Sequence, residues 1–264
     1  MYYYKSPSCP FDIPQKINQG ILLDDCHYKY INLITIDTLF VRLDIYRKSN
    51  MTLKQTIQLS NMIHLYTKIN EHPNIVKLYA VVENQENIIL FYEYPLCSLN
   101  DWNNINIFSD DYVKQKIIKP ILDTFDFLLK NSIVHGNISK YSIYCYANEV
   151  WKIGDFEEAY DMTISKKQTE SDTYLFGLTL FDLRIKPLTQ KMKEFIHMCI
   201  KKEPLEKLRI HPVYTNHESS YSVRKSISLS DFENIHTTPY TPITSNSPPK
   251  KFSLKKLFHS FRFK

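Results

Sequence analysis

The chain has 264 residues, 43% hydrophobic and 14% aromatic, enough for one large domain or two small lobes with a buried core. Its formal net charge of +5 is concentrated in residues 249–264, where Lys250, Lys251, Lys255, Lys256, Arg262 and Lys264 stand without a single acid. Taking those six positive charges from +5 leaves the rest of the chain at −1, so no nucleic-acid binding is indicated for the globular part.

The five cysteines, at 9, 26, 97, 145 and 199, are odd in number and lack paired spacing. That argues for reduced thiols and against a disulfide framework or a zinc site. The opening MYYYKSPSCP lacks the apolar core of a signal peptide, and no apolar run approaches membrane-spanning length. An intracellular protein, cytoplasmic or nuclear, is expected.

Residues 1–16 hold three prolines and no periodicity and read as a lead-in. Residues 31–36 and 39–46 are rich in β-branched and aromatic side chains with partial alternation, which predicts two strands. A helix follows, with Leu59, Met62, Ile63 and Tyr66 at i, i+3, i+4, i+7 as one buried stripe. A hairpin is expected to turn near 83–86 and to end at Leu90-Phe91-Tyr92-Glu93-Tyr94. Beyond Ser98 the pattern turns helical. Asp110 or Asp111 is positioned to cap a helix through about Leu129, with Ile118, Ile121, Leu122 and Phe125 inward and Pro120 kinking or interrupting it. Two more helices are expected over 172–183 and 189–202, and 213–248 is rich in Ser, Thr, Asn and Pro and predicted to be disordered.

Residues 135–156, HGNISKYSIYCYANEVWKIGDF, carry the most informative pattern. A protein kinase has H-R-D-L-x-x-x-N followed by a short strand and D-F-G. Here His135, Asp155 and Phe156 match. Further matches follow in family order. His72-Pro73-Asn74-Ile75-Val76-Lys77-Leu78 stands between strand-rich and helical halves, and Tyr92-Glu93-Tyr94 resembles the gatekeeper and the interlobe hinge, Glu93 and Tyr94 being the hinge positions. Ser98-Leu99-Asn100-Asp101-Trp102 resembles the next helix start, Ser171-Asp172-Thr173-Tyr174-Leu175-Phe176-Gly177 the S-D-V-W-S-L-G helix, and Cys199-Ile200-Lys201-Lys202-Glu203-Pro204 the late C-L-x-x-D-P segment. The chain therefore resembles a eukaryotic protein kinase domain over about 17–212. The resemblance implies an α+β, two-lobed fold: a β-rich N-lobe with one main helix at 17–95, and a helical C-lobe at 96–212.

Read against that resemblance, the chemistry is degenerate. Phosphoryl transfer depends on positioning and charge neutralisation. The chain has only four glycines, Gly20, Gly136, Gly154 and Gly177, so no glycine-rich phosphate loop is available. Gly20 is a remnant of that loop, or Gly20-Ile21-Leu22 is an ordinary turn. Val41-Arg42-Leu43-Asp44 falls where V-A-I-K belongs, so Asp44 replaces the lysine and Arg42 the alanine that admits adenine. The guanidinium fills the pocket, or a one-residue slip turns it to solvent. No Glu lies between Met51 and Asn70 to pair with a lysine; an apolar residue such as Met62 or Ile63 takes that place. Asn137 replaces the catalytic base, Ser139 the following lysine and Ser142 one metal ligand. Asp155 is a weak Mg²⁺ position or a structural remnant. No ATP or other cofactor is expected, beyond weak ATP–Mg²⁺ binding.

Only sixteen residues separate Asp155 from Asp172, without A-P-E, so the activation segment is truncated. Gly136 stands in place of the arginine that receives an activation-loop phosphate. His135, Phe156 and Asp172 keep the identities that the family uses structurally. The pattern reads as a pseudokinase, a scaffold or regulatory module for a protein partner such as an active kinase, with a weakly active divergent kinase as the alternative. In the tail, Leu254, Leu257, Phe258 and Phe261 form a stripe beside Lys255 and Lys256, which predicts a short basic amphipathic helix for an anionic membrane or a partner groove, or else a solvated tail or nuclear-import signal. Thr238, Thr241 and Ser247 precede prolines and Ser226 follows Arg224-Lys225, which makes them candidate phosphorylation sites.

Overall fold

The computed structural model describes residues 3–14, 20–163 and 171–215. An antiparallel sheet of six strands makes the N-lobe: β1 (Tyr3–Lys5), β2 (Ile21–Asp25), β3 (Lys29–Ile36), β4 (Leu39–Arg47), β5 (Leu78–Glu83) and β6 (Asn87–Glu93), in the order β1-β5-β6-β4-β3-β2. The period of two along β4 sorts its side chains cleanly. Val41, Leu43 and Ile45 turn to one face and join Phe11, Ala80, Ile89 and Phe91 in a buried cluster. Arg42, Asp44 and Tyr46 turn to the other face, toward the C-lobe.

The helix α1 (Leu53–Ile69) packs beside this sheet and starts at Thr52, whose hydroxyl accepts from the Gln55 N–H while the Gln55 side chain accepts from the Thr52 N–H. Its buried residues are Leu59, Met62, Leu65, Tyr66 and Ile69; Ile63, expected in the stripe, is half-buried at its edge. The lead-in is also structural. β1 pairs with β5, the Ser6 N–H donates to the Tyr79 carbonyl at 2.8 Å, and the Phe11 ring sits edge-on to Tyr79. Proline spacing conceals this strand because only three residues pair.

The C-lobe opens with β7 (Cys97–Ser98) and α2 (Leu99–Ile105), capped by a Ser98–Asp101 box. Ser109, not Asp110 or Asp111, caps the next helix by accepting from the Tyr112 N–H at 3.2 Å. Asp110 is instead buried, with Thr189 and Lys114 on its carboxylate. The helix runs as α3 (Asp110–Tyr112), a π-helical stretch (Val113–Ile118) and α4 (Lys119–Lys130). Pro120 lacks the N–H that would close an ordinary turn, and the widened stretch just before it absorbs that loss without a break. Short pairs follow: β8 (Ile133–Val134) with β11 (Tyr160–Asp161), and β9 (Ile143–Tyr146) with β10 (Val150–Ile153) and β7.

The chain then forms α5 (Asp172–Phe181), α6 (Gln190–Ile200), α7 (Leu205–Ile210) and α8 (Pro212–Thr215). α7 and α8 go beyond the expected elements, and residues 213–215, predicted to be disordered, are helical with Val213 buried. The Val76 N–H to the Ile153 carbonyl at 2.8 Å, and the Ile153 N–H to the Asn74 carbonyl at 2.9 Å, tie β10 to the chain entering β5. A Phe11→Ala substitution is expected to cost about 3–5 kcal/mol in denaturant unfolding; a loss under ~1 kcal/mol would place the lead-in outside the core.

Candidate functional site

Between the lobes, side chains of β3 and β4 meet the segment after β10 in a packed ionic seam. Asp44 is 3% exposed in the middle of β4. Arg42, two residues back on the same face, binds it with both nitrogens, Nε to Oδ1 at 2.7 Å and Nη2 to Oδ2 at 2.9 Å. Lys29, at the start of the neighbouring β3, approaches Asp44 at 3.5 Å and Glu157 at 2.6 Å. The Tyr46 hydroxyl donates to the same Glu157 oxygen at 2.7 Å. On the C-lobe side Asp155 receives the Tyr144 hydroxyl and faces Arg42 Nη2 at 3.6 Å. The Arg42 guanidinium lies 5.8 Å from the Tyr92 ring centre and 6.0 Å from that of Tyr144.

The protonation states follow from this packing. Burial by itself would raise Asp44, but Arg42 and then Lys29 outweigh it and hold the carboxyl below its ordinary value. Glu157 is lowered in the same way, by Lys29 and by hydrogen bonds from Lys29 and Tyr46 acting against burial. Burial would lower Lys29, yet the two carboxylates raise it and keep it charged. Tyr144 is raised, by burial first and by Asp155 next.

Met62 is the α1 residue beneath this cluster, 2% exposed and touched through sulfur by the Tyr92 hydroxyl at 3.9 Å. A neutral side chain there avoids a second buried carboxylate near Asp44. One helical turn on, Tyr66 meets Phe156 edge-on at 5.4 Å, and Phe156 meets His135 at 4.6 Å. An aromatic column thus runs from α1 into the C-lobe. His135 is fully buried, its Nε2 2.8 Å from the Gly154 carbonyl. Its backbone N–H and that of Gly136 both donate to the Asp172 carboxylate, each at 2.8 Å. Gly136 has φ of +76°, and a Cβ there would meet the Glu158 carbonyl at 3.2 Å, so glycine is required on steric grounds.

The remaining sequence-derived positions turn to local tasks. Ser142 donates its hydroxyl toward the Asn137 and Ser139 carbonyls and accepts from the Ser139 N–H at 2.9 Å. Ser139 Oγ accepts from the Tyr141 N–H at 3.3 Å, and Asn137 is exposed. Glu93, closing β6, accepts the Lys77 N–H and pairs with Lys152 at 2.7 Å, while Tyr94 packs against Phe40. Gly20 immediately precedes β2, and Ile21-Leu22 are strand rather than turn. A Cβ at Gly20 would approach the Leu33 carbonyl to 2.5 Å, so its role is close strand contact. The turn that faces the cleft is 26–28, at the other end of β2, and contains no glycine.

The sequence profile of the Protein kinase domain family matches residues 38–177. The chain belongs to the protein kinase domain family. No curated protein matches the chain. In this kinase-like domain the V-A-I-K strand, the D-F-G start and the interlobe hinge meet where the family binds ATP and Mg²⁺. The residues present do not fit that group. Mg²⁺ requires near-octahedral oxygen ligation, whereas Asp155 is engaged by a tyrosine hydroxyl and faces a guanidinium. Among the described residues no three His, Cys, Asp or Glu side chains are grouped to hold a metal ion, and no helix is long and apolar enough to cross a membrane.

Four participants escaped the sequence reading: Lys29, Tyr46, Tyr144 and Glu157. Lys29 shares a strand face with Leu33, and Glu157 follows Asp155-Phe156 where the family has glycine, so both carried a local signal. Their meeting is a long-range event. The tail stripe of Leu254, Lys255, Lys256, Leu257, Phe258 and Phe261 and the candidate phosphorylation sites lie outside the described residues.

Two outcomes follow from this geometry. Asp44 and Glu157 ionise lower in the fold than their unfolded values of about 3.9 and 4.3. The unfolded chain therefore binds protons first on acidification, so their contribution is complete above about pH 5 and is lost as pH falls through the folded values. Asp44→Asn is expected to flatten that acid limb in unfolding measured from pH 6 to 3, and to cost about 3–5 kcal/mol at pH 7 by stranding buried cations. Asp172→Ala leaves two backbone N–H groups without their acceptor and is expected to cost about 2–5 kcal/mol by denaturant unfolding.

Proposed function

We propose that this chain is a catalytically inactive protein kinase-like protein, a pseudokinase that acts as a scaffold or regulatory binding module for a protein partner, an active kinase among the candidates. The observation that carries this reading is Asp44. It stands on the strand where the family places its phosphate-binding lysine, and its two cations are already bound to carboxylates. The other changes agree with it. Met62 offers no carboxylate to a strand lysine, and the amide of Asn137 is no proton acceptor at the base position. Ser142 spends its hydroxyl on bracing its own loop.

A second reading, a divergent kinase with weak ATP-dependent phosphotransfer, has one specific support: Lys29 and Arg42 bring two cations to the cleft, and Asp155 is retained. Its cost is that both cations must leave buried partners before touching phosphate. Radiolabelled ATP with Mg²⁺ or Mn²⁺ and generic protein acceptors separates the two. The expected result is no incorporation above that of Asp155→Ala; incorporation abolished by that substitution would establish the enzyme. The basic tail segment 249–264 is proposed as an anchor for anionic membrane. The intact chain should then co-sediment with phosphatidylserine vesicles and a chain ending at Thr215 should not.

A further inference from the structure

We propose that the ionic seam takes the place of nucleotide as the ligand that joins the two lobes, so that the domain is held closed and takes up no adenine nucleotide. This inference rests on the inactive reading above and extends it to the conformation of the cleft.

Five polar ties cross from the N-lobe to the segment beginning at Asp155: Arg42 to Asp155, Lys29 and Tyr46 to Glu157, Gln58 to Glu158 at 2.9 Å, and Lys68 to Asp161 at 2.9 Å. Asp155 and Glu157 flank Phe156 in sequence; β4 reaches both, through Arg42 and Tyr46, and β3 adds Lys29 on Glu157. Phe156 is thereby fixed between Tyr66 and His135. In an active relative, ordering of that segment depends on cations held by phosphates and metal; here side chains supply the opposite charges themselves.

The space for a flat base is also taken. Arg42 lies between Tyr92 and Tyr144 with its side chain only 14% exposed. At the adjoining hinge, the Glu93 N–H donates to the Lys77 carbonyl, the Leu96 N–H donates to the Cys145 carbonyl, and Pro95 has no N–H. The Glu93 carbonyl accepts from the Tyr146 hydroxyl at 3.5 Å. The backbone edge that would read a base is therefore mostly committed. Electrostatics point the same way: Lys29 and Arg42 face Asp44, Asp155 and Glu157, so the seam is net negative and repels a polyphosphate.

The test uses the full chain and the double variant Arg42→Ala/Asp44→Lys, which removes the guanidinium and returns a cation to the strand. Thermal unfolding is measured with and without millimolar ATP–Mg²⁺ and ADP. Wild type is expected to show no shift, and the double variant to gain roughly 2–4 °C with nucleotide. A nucleotide-dependent shift in wild type overturns the proposal, as does a folded double variant that gains none. Should the double variant fail to fold, amide exchange on wild type decides: slow exchange over 153–158 that ATP–Mg²⁺ leaves unchanged supports the seam, and fast or nucleotide-protected exchange refutes it. Nucleotide binding without phosphotransfer would sink the seam alone; phosphotransfer by wild type would sink the inactive reading itself.

Discussion

A carboxylate buried in the middle of a strand survives only where cations reach it, and Asp44 sets that condition for the whole interlobe region. Arg42 meets it from the same strand and Lys29 from the next. Once those cations are bound to Asp44 they cannot also hold a phosphate without exposing a buried negative charge. The neutral Met62 beneath them follows from the same condition, since a glutamate there would add a second buried carboxylate. Lys29 and Arg42 in turn draw Glu157 and Asp155 across from the C-lobe. One buried carboxylate thus organises β3, β4, α1 and the segment after β10.

The retained and altered positions divide by physical task. Asp172 satisfies two backbone donors that burial would otherwise strand, and His135 meets the Gly154 carbonyl from inside the core. Phe156 fills the space between two rings. These tasks belong to folding and survive whatever occupies the cleft. Asn137, Ser139 and Ser142 lie on the loop where chemistry would occur, and two of the three spend their side chains on the loop's own backbone.

Much of the architecture was legible because it rests on local rules. Strand alternation located β3 and β4, the apolar stripe located α1, and the order of motifs implied two lobes. Errors arose where local rules compete. Ser109 and the two aspartates after it are all good caps, and only the geometry of the turn selects Ser109. Pro120 predicts a kink or an interruption, and only the structure shows its form, a π-helical stretch that separates two α-helical ones. The lead-in reads as irregular because Phe11, which it sends into the core, has no periodic neighbours. Gly20 reads as turn or phosphate loop, although what it serves is the close approach of Leu33.

By itself the sequence determined which residues share a face on β3 and β4 and the family frame, and the resemblance put Asp44, Met62 or Ile63, and Asn137 at the positions of a lysine, a glutamate and an aspartate. Those are statements about identity at a position, and identity is local. It left Arg42 free to point into the cleft or away from it, and Met62 and Ile63 equally eligible beneath it. Only the tertiary structure decided these, because the facing of a side chain depends on register against neighbouring strands. It also revealed that Lys29 and Glu157, 128 residues apart, form an ion pair at 2.6 Å. Long-range electrostatic pairing arises from where the folded backbone brings charges together, and no periodicity in the chain encodes that distance.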